Sequence, residues 1–355
     1  MQLPWLAMTT SSKLLLFLFA AILPAHGAEE VQLQTSPVIN QRELKGLKIE
    51  SKRIGGQLSI ELWRCQDVTI SHCDLAGIYL TECERVTITN CFIHDTVRNG
   101  VEIMRSKEVR VQGCRIENVS SAVYAQESQN LQIVGIFARN VNGPFPRGQM
   151  VQFNNVTGHG NVISGNYAIN DHGRSNPEDV ISLFQSHGTA ESPILIEDNY
   201  MTGDATLGSA DKSKSGSGIM LGDCGGSFQT CRRNTILSAG QVGIGVAGGD
   251  SIVVEDNVIF GSKSNVSNTG LYAWNQSDHA GATVTFARNR VLWINHDGIE
   301  NSYWDGGGFT RVIREANQFG QRGLLKIIPE PPSPAPVPPS PVADEGNVVR
   351  LPWKP

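Results

Sequence analysis

A short phrase recurs along this chain and restricts its fold more than any other feature. Copies read VTISHCDL, ending at Leu75, and VTITNCFI, ending at Ile93, while IVVEDNVI, ending at Ile259, carries Asn where the early copies carry Cys. Neighbouring copies lie 18 to 35 residues apart, a spacing typical of solenoid repeats. The equivalent positions are Cys73, Cys91, Cys114, Ile136, Asn166, Asn199, Asn234, Asn257, Asn289 and Asn317.

Each repeat contains two short runs in which apolar residues alternate with others. One run resembles Gly77–Leu80 or Gly218–Leu221, and the other is the VTI-type run of the phrase itself. Alternation over so few residues indicates half-buried strands. Strands that recur without hairpin turns stack in parallel, so that each coil contacts only its neighbours. The sequence therefore predicts an all-β, single-domain β-solenoid of about ten coils.

The equivalent position of the repeat predicts a ladder of Asn and Cys side chains. Asn side chains stacked one coil apart can hydrogen-bond to each other and to the backbone of a tight turn. Cys is a small side chain that tolerates burial at the same position.

These features resemble the right-handed parallel β-helix of the pectate-lyase-like fold, from about Leu58 to about Phe319. The resemblance implies the fold and leaves the function open, because this fold carries lyases, hydrolases, epimerases and non-catalytic adhesins. The chain departs from three known patterns. It has neither the clustered Asp residues of Ca²⁺-dependent pectate lyases nor the paired Asp residues of polygalacturonase-type hydrolases. The Asp-Pro-His-Asp pattern of mannuronan epimerases is also missing.

The two ends of the chain differ in composition from the repeats. Residues 1–27 read as a signal peptide, because Lys13 precedes a short apolar stretch, Leu14–Leu23, and Ala25-His26-Gly27 offers a cleavage site. Residues 28–328 are the predicted β-helix domain, and 329–355 are a proline-rich tail, expected to be extended. We therefore expect a periplasmic or secreted protein with no stable membrane insertion after cleavage.

The net charge restricts the kind of partner that the chain could bind, and the cysteines restrict the disulfides that it could form. The net charge of −5 and the pI of about 5.9 argue against a general nucleic-acid binder. Most of the seven cysteines are expected to be stacked core thiols. Cys224 and Cys231 flank a short loop and are the best disulfide candidate, provided that their Cα atoms lie within roughly 7 Å.

The variable loops predict where a site would lie. The long ones are 141–149, 170–179, 202–216 and 261–269, and they flank the outer face of the Gly-Ile-type strands. Because loops on a regular scaffold carry function, we expect a groove along this face, centred between about Gln149 and about His279. Such a groove suits an extended polysaccharide.

Strand alternation then predicts which side chains line the groove. Amides beside flat aromatic rings suit sugars, which offer both hydroxyls and C–H patches. The predicted lining residues are Tyr124, Gln126, Gln152, Asn154, Ser182, Tyr272 and Trp274, with His187, Lys212, Lys214 and Asp223 in adjacent loops.

The densest polar cluster is the loop 170–179. His172 could act as a general base and Arg174 could hold a substrate carboxylate. Asp171, Glu178 and Asp179 could bind Ca²⁺ through oxygen ligands. The alternative is a turn whose polar side chains satisfy one another. No metal motif with fixed Cys/His spacing is present, so Ca²⁺ is the one cofactor considered.

Four functions remain. The first is a polysaccharide lyase or related enzyme acting on a uronate glycan, with His172 or Tyr124 as base and Arg174, Gln152 and Asn154 neutralising the carboxylate. The second is a glycoside hydrolase that uses Glu178 or Asp179 with Asp223. The third is a non-catalytic glycan-binding module, and a C5-epimerase is a further possibility. The sequence favours the lyase, because the groove is richer in amides, His and Arg than in paired acids.

Overall fold

The protein is a stack of parallel β-coils. The structure is a computed structural model that describes residues 32–143, 146–171, 174–175, 178–203, 216–276 and 282–323. Its strands run from Gln34 to Phe319 and pair in parallel with those one coil away, which confirms the predicted all-β parallel β-helix. The predicted signal peptide, 1–27, and the predicted tail, 329–355, lie outside the described residues. Within the described residues, no helix is long and apolar enough to cross a membrane.

Each coil contributes one strand to each of three faces. The first face consists of Ile39–Arg42 (β2), Ile60–Trp63 (β5), Ile78–Thr81 (β8), Val101–Met104 (β11), Val123–Gln126 (β14), Val151–Asn154 (β17), Ile181–His187 (β20), Ser217–Arg232 (β23), Val242–Val246 (β25), Thr269–Trp274 (β28) and Tyr303–Gly307 (β31). These are the Gly-Ile-type strands of the sequence repeat.

The second face holds the VTI-type strands. It consists of Lys48–Glu50 (β3), Gln66–Ser71 (β6), Glu84–Thr89 (β9), Lys107–Gln112 (β12), Gln129–Val134 (β15), Val162–Ser164 (β18), Ile194–Glu197 (β21), the second half of β23, Asp250–Glu255 (β26), Thr283–Ala287 (β29) and Arg311–Glu315 (β32). Because β23 continues around the bend, the first two faces form one 21-stranded sheet.

The third face is a separate 12-stranded sheet of short strands. It consists of Gln34–Ser36 (β1), Lys52–Ile54 (β4), Asp74–Leu75 (β7), Phe92–His94 (β10), Arg115–Val119 (β13), Phe137–Val141 (β16), Tyr167–Ile169 (β19), Tyr200–Thr202 (β22), Thr235–Leu237 (β24), Val258–Gly261 (β27), Arg290–Trp293 (β30) and Gln318–Phe319 (β33). The variable loops connect this face to the first face of the next coil.

A left-handed residue turns the chain from the first face to the second. Glu82 and Arg105 have φ angles of 55° and 46°. Each is followed by a small buried residue, Cys83 or Ser106, whose side chain points inward. The Ser106 hydroxyl accepts a hydrogen bond from the backbone N–H of Cys83 at 3.0 Å, so it partly satisfies the bend of the preceding coil.

Stacked asparagines turn the chain from the second face to the third. At the last five ladder positions, Asn199 to Asn317, each Asn Oδ1 accepts two hydrogen bonds from the Asn one coil before, one from its backbone N–H and one from its Nδ2. The Oδ1 of Asn166 accepts from the backbone N–H of Ile136. The Nδ2–Oδ1 distances are 2.9 to 3.0 Å. Each Nδ2 also donates to a backbone carbonyl of an earlier strand, for example from Asn234 to Ile196. These bonds satisfy the polar groups of the turn inside the core.

The inward-pointing residues form one continuous core. On the first face the same position is fully buried in successive coils, as in Val123, Val151, Ile181, Ile219 and Ile244. Registered pairing places each of these residues over its predecessor. Burial of such a side chain contributes about 1.5–3 kcal/mol. The alternation of each strand is thereby fixed, because a slip by one residue would expose the whole apolar set.

The predicted disulfide between Cys224 and Cys231 does not form, since all seven cysteines are free thiols. Cys231 is buried at an inward position of β23, paired with Ile196. Cys224 is exposed and occupies the left-handed bend itself, with φ of 50°. It therefore does not share the buried position of Cys65 and Cys83, and it is not one of the stacked core thiols.

We predict that Asn234→Ala lowers the free energy of unfolding by about 3 kcal/mol, because buried donors and an acceptor lose their partners. Asn317→Ala is the matched control at the last rung of the ladder, where the side chain is partly exposed. Its loss should stay below about 1 kcal/mol, because water can replace the lost bonds. Denaturant unfolding measures the loss of unfolding free energy in each variant. Equal losses would refute the claim that a buried Asn of the ladder stabilises the fold more than the partly exposed Asn at its end.

Candidate functional site

Alternating residues of the first face point away from the core and stack into an outward row. We define the outward row as Tyr124, Gln152, Ser182, Met220, Gly245, Tyr272 and Trp304, which pair in register from β14 to β31. A second line of outward positions runs beside it through Gln126, Asn154, Phe184 and Asp223. All the lining residues predicted from strand alternation therefore lie on this face.

Tyr124 is the centre of the N-terminal part of the row. Its hydroxyl donates to Gln126 Oε1 at 2.9 Å and accepts from Asn154 Nδ2 at 3.1 Å. The guanidinium of Arg147 lies over its ring, 4.5 Å from the centroid. Although Tyr124 points out of the coil, it is only 5% exposed, because these neighbours cover it. A fixed phenol, two amides and a cation thus occupy one stretch of the face.

Three carboxyl groups lie in the middle of the face. Glu178 and Asp179 directly precede β20, and Asp223 lies in β23 beside Phe184 of the preceding coil. They come from two consecutive coils, because the loop 170–179 enters β20 and β23 follows in the stack. We call Glu178, Asp179 and Asp223 the acid cluster.

Asp179 is the most buried member of the acid cluster, at 5% exposure. Its Oδ1 accepts hydrogen bonds from the backbone N–H of Ser217, at 2.7 Å, and from the Ser217 hydroxyl. A close approach of two chain segments makes this geometry possible. A Cβ at Gly216 would lie 1.1 Å from the Glu178 carbonyl oxygen, so this position requires glycine.

Glu178 is half-buried and is held from the opposite side. Its backbone N–H donates to the carbonyl oxygen of Arg147 at 3.4 Å. The amide of Gln149, which is fully buried, donates to Glu178 Oε2 at 3.5 Å and to the Pro146 carbonyl at 2.7 Å. The segment before β17 thereby carries both Arg147 and Gln149 to the acid cluster.

The electrostatics of the acid cluster favour protonated carboxyls. Burial, helped by the charges of Glu178 and Asp223, raises the pKa of Asp179 to about 7 against the opposing hydrogen bonds of Ser217. Burial and then the charge of Asp223 raise the pKa of Glu178, while Arg147 lowers it. Burial also raises the pKa of Asp223, against hydrogen bonds from Cys224. Neighbouring carboxyls with raised pKa values are typical of acid–base sites.

The C-terminal part of the row is aromatic. The Tyr272 hydroxyl donates to the Met220 sulfur at 3.2 Å. Burial, followed by the charges of Asp179 and Asp223, raises the pKa of this hydroxyl, so Tyr272 lies within electrostatic range of the acid cluster. Trp274 and Trp304 follow, both with exposed indoles.

Two predicted residues lie away from the outward row. His187 is exposed beyond the left-handed bend at Gln185, where its Nδ1 contacts the Ser227 hydroxyl at 3.1 Å. Arg174 lines a different cleft, together with Asp95, Asn118 and Asn142. His172, Lys212 and Lys214 lie outside the described residues, so their predicted roles remain predictions.

The structure also divides the acids proposed as Ca²⁺ ligands. Both carboxylate oxygens of Asp171 bind Arg139, at 3.0 and 3.1 Å, and one also accepts from Asn140. Asp171 therefore fastens its loop to the third face, whereas Glu178 and Asp179 belong to the acid cluster. The ion pair with Arg139 of β16 thus holds Asp171 apart from Glu178 and Asp179, although all three acids belong to one loop of the sequence.

Sequence analysis missed Arg147, Gln149, Met220 and Trp304. Strand alternation could have predicted Trp304. Once Tyr303 is aligned with the inward Leu271, Trp304 points outward beside Tyr272. Arg147 and Gln149 lie in an irregular loop segment, where no periodic signal exists.

Metal donors do not converge in the described part of the chain. Among those residues, no group of three or more His, Cys, Asp or Glu side chains could hold a metal ion. Cys73, Cys91 and Cys114 are buried thiols that follow one another along the stack, one per coil, rather than surrounding a common point. The acids predicted as Ca²⁺ ligands thus form no group of three or more donors within the described residues.

We predict that Asp179→Asn removes part of the pH dependence of stability. The pKa of Asp179 is about 7 in the folded chain against 3.8 ordinarily. The folded state therefore keeps a proton that the unfolded state has lost, and stability falls as the pH rises from about 3.8 to about 7. Asn keeps the acceptor for Ser217, so the variant should lack this fall. Denaturant unfolding at several pH values gives the unfolding free energy of the wild type and of the variant. If the difference between the two free energies does not change with pH, the raised pKa of Asp179 is refuted.

Solved structures with similar coils include carbohydrate enzymes. The catalytic domain of a GH87 α-1,3-glucanase in complex with nigerose matches with a TM-score of 0.57 and 12% identity, over 81% of this chain and 61% of that one. A variant of this domain in complex with tetrasaccharides gives a TM-score of 0.56 and 13% identity, over 81% and 58%. An alginate lyase from Paenibacillus sp. str. FPU-7 matches with a TM-score of 0.45 and 12% identity, over 75% and 92%. This chain spans about three fifths of the glucanase domains, and at these identities the likeness shows the right-handed β-helix fold alone.

No curated protein matches the chain. A family profile described as periplasmic copper-binding protein (NosD) matches residues 29–290, which is most of the chain and all of the first face up to β28. The copper of that description has no counterpart among the metal donors of the described residues. The extent of the match is sufficient for assignment: the chain belongs to the NosD family, a family of periplasmic proteins.

Proposed function

We propose that this protein hydrolyses a glycosidic bond of a polysaccharide that lies along the outward row. One observation carries the proposal: three carboxyl groups with raised pKa values lie together on the face that also carries the amides and aromatic rings. Glycoside hydrolysis requires a protonated acid on one side of the scissile bond and a carboxylate on the other. The periplasmic location of the family is consistent with a glycan substrate.

Glu178 is the proposed general acid. Burial and the neighbouring charge of Asp223 keep its proton bound to a higher pH than an ordinary glutamate would allow. The proton would move from a Glu178 oxygen to the glycosidic oxygen as the bond to the anomeric carbon breaks. Arg147 limits the rise in pKa, so that the acid can still give up its proton.

Asp223 is the proposed base or nucleophile. It is less buried than Asp179 and comes from the coil that follows Glu178, so a sugar lying over these two coils would contact both carboxyls. As a base it would take a proton from the attacking water, and as a nucleophile it would bond to the anomeric carbon. The separation of the two carboxyls decides between these routes.

Asp179 is a positioning residue in this scheme. It is too buried to contact much substrate, and its Oδ1 is occupied by Ser217. It ties the start of β20 to the start of β23 and so sets the spacing between Glu178 and Asp223. Its own proton, kept up to a pH of about 7, avoids a third negative charge beside them.

A second candidate is β-elimination on a uronate glycan. Its support is the Tyr124 hydroxyl, which is fixed between Gln126 and Asn154 with Arg147 over its ring. Tyr124 would take the C5 proton and Arg147 would neutralise the carboxylate. We rank it second, because Tyr124 is as covered as Asp179, at 5% exposure, and because charged members of the acid cluster would repel the many carboxylates of such a polymer.

We predict that Glu178→Gln and Asp223→Asn each lower cleavage by at least about 100-fold, as expected for loss of an acid or base. Asp198→Asn is the matched control, since this exposed carboxylate pairs with Arg233 away from the first face. Neutral glucans and uronate polymers are incubated with each protein, and reducing ends and ultraviolet absorbance are followed together. Reducing ends without new absorbance indicate hydrolysis.

An absorbing, unsaturated product would instead identify elimination, and Tyr124→Phe should then remove the activity. Full activity of both carboxyl variants would refute the acid cluster as the site. Thermal melting of every variant shows whether a loss of activity reflects unfolding.

A further inference from the structure

We infer that Trp274 and Trp304 form an aromatic platform that binds a pyranose ring of a neutral glycan, beyond the acid cluster along the outward row. The inference rests on the proposed function for the direction of the chain, and it adds the substrate class and a distant subsite. Both indoles are well exposed, Trp274 at 43% and Trp304 at 42%. The other exposed large hydrophobic side chains of the described residues, Val38, Leu44, Val97 and Ile299, are aliphatic, so these two indoles are the exposed aromatic surface of that set.

The two indoles form a compact unit. Their ring centroids lie 5.7 Å apart at an interplanar angle of 72°, and Tyr272 packs against Trp304 at 6.1 Å. Edge-to-face contacts of this kind stabilise the orientation of each ring. The platform is therefore a fixed surface rather than two independent side chains.

Two glycines make room for the aromatic rings. A Cβ at Gly306, two residues after Trp304 in β31, would lie 2.6 Å from Trp274 and 2.7 Å from Trp304, so glycine at this position leaves room for both indoles. A Cβ at Gly245 would lie 2.6 Å from the Tyr272 ring. The rings can thus lie close to the backbone, which leaves their outer surfaces free for a ligand.

The platform is continuous with the acid cluster. Tyr272 and Trp304 belong to the same registered row as Met220, to which the Tyr272 hydroxyl is bonded. Three coils separate Met220 from Trp304, which is about 14 Å at the usual strand spacing. An oligosaccharide extended along the row would reach from one to the other, whereas a disaccharide at the acid cluster would not.

The charges near the platform favour a neutral sugar. In the described part of the chain, arginines stack on Trp63, Phe92, Tyr124, Phe137 and Tyr303, but on neither Trp274 nor Trp304. The nearest part of the groove is acidic, since Asp179 and Asp223 act on Tyr272. A pyranose with an apolar C–H face would stack on the indoles, and a uronate would gain no cation there.

Binding measurements on single variants test the platform. The variants Trp274→Ala and Trp304→Ala are made in the Glu178→Gln background, and calorimetry measures binding of glucose hexasaccharides of several linkages, glucose disaccharides and galacturonate hexamers. Trp304→Phe tests whether an aromatic ring suffices. Trp63→Ala is the matched control, because Trp63 lies on the same face at the opposite end of the stack, with Arg42 over its ring.

We expect either alanine variant to weaken binding of a neutral hexasaccharide about tenfold, with disaccharide binding unchanged. Trp304→Phe should restore most of the affinity, and Trp63→Ala should have no effect. Unchanged affinity in both alanine variants, tighter binding of the uronate hexamers, or no binding of any neutral hexasaccharide would overturn the inference.

The same measurements separate this inference from the proposed function. Tryptophan-dependent binding without cleavage of any glycan by the wild-type protein would support the platform and refute hydrolysis. Cleavage by the wild-type protein with tryptophan-independent binding would refute the platform and leave hydrolysis standing. Melting temperatures close to that of the parent protein show that the variants are folded.

Discussion

The hydrogen bonds between stacked Asn side chains, from Asn166 to Asn317, set the register of the coils that carry the acid cluster and the two exposed tryptophans. One Oδ1 accepts both the backbone N–H and the Nδ2 of the Asn one coil before, so consecutive turns must lie in register. Register at the turn fixes register on the first face, where inward and outward positions alternate. The outward row forms because the strand register at the Asn turn is the same in consecutive coils. Loops that differ from coil to coil can then place unlike side chains above an invariant frame.

The regular part of this arrangement could be predicted from the sequence. The positions of Tyr124, Gln152 and Tyr272 on one face follow from a period of two and from the ladder alone. The ladder itself was readable because Asn recurs at equivalent points of the repeat. A periodic sequence pattern is sufficient to predict which way a side chain points where the backbone repeats from coil to coil.

The irregular part could not be predicted in the same way. Asp171 and Glu178 are near neighbours in sequence, yet an ion pair with Arg139 holds the first on the third face while the second reaches the first face. Arg147 contacts Tyr124 from a loop whose path has no repeat. Cys224 was the predicted disulfide partner of Cys231, but two extra residues in β23 place it on the exposed bend. Long-range contacts and register shifts of this kind depend on the assembled fold.

The balance of charges distinguishes the candidate functions. Arg147 is the cation that the described structure places beside both Glu178 and Tyr124, whereas the acid cluster brings three carboxyls close together. Their raised pKa values reflect burial and mutual repulsion, which favours a neutral substrate and proton transfer over recognition of a polyanion. The NosD match and the β-helix neighbours give the family and the fold, and this chemistry rests on the chain's own residues.

The central claim is that a glycan lies along the outward row and across the acid cluster. A crystal structure of Glu178→Gln with a bound neutral hexasaccharide tests it most directly. The account predicts sugar rings that run along the first face from Gln152 towards Trp304, with one glycosidic oxygen between residue 178 and Asp223. A glycan bound on another surface, such as the cleft lined by Asp95 and Arg174, would contradict it.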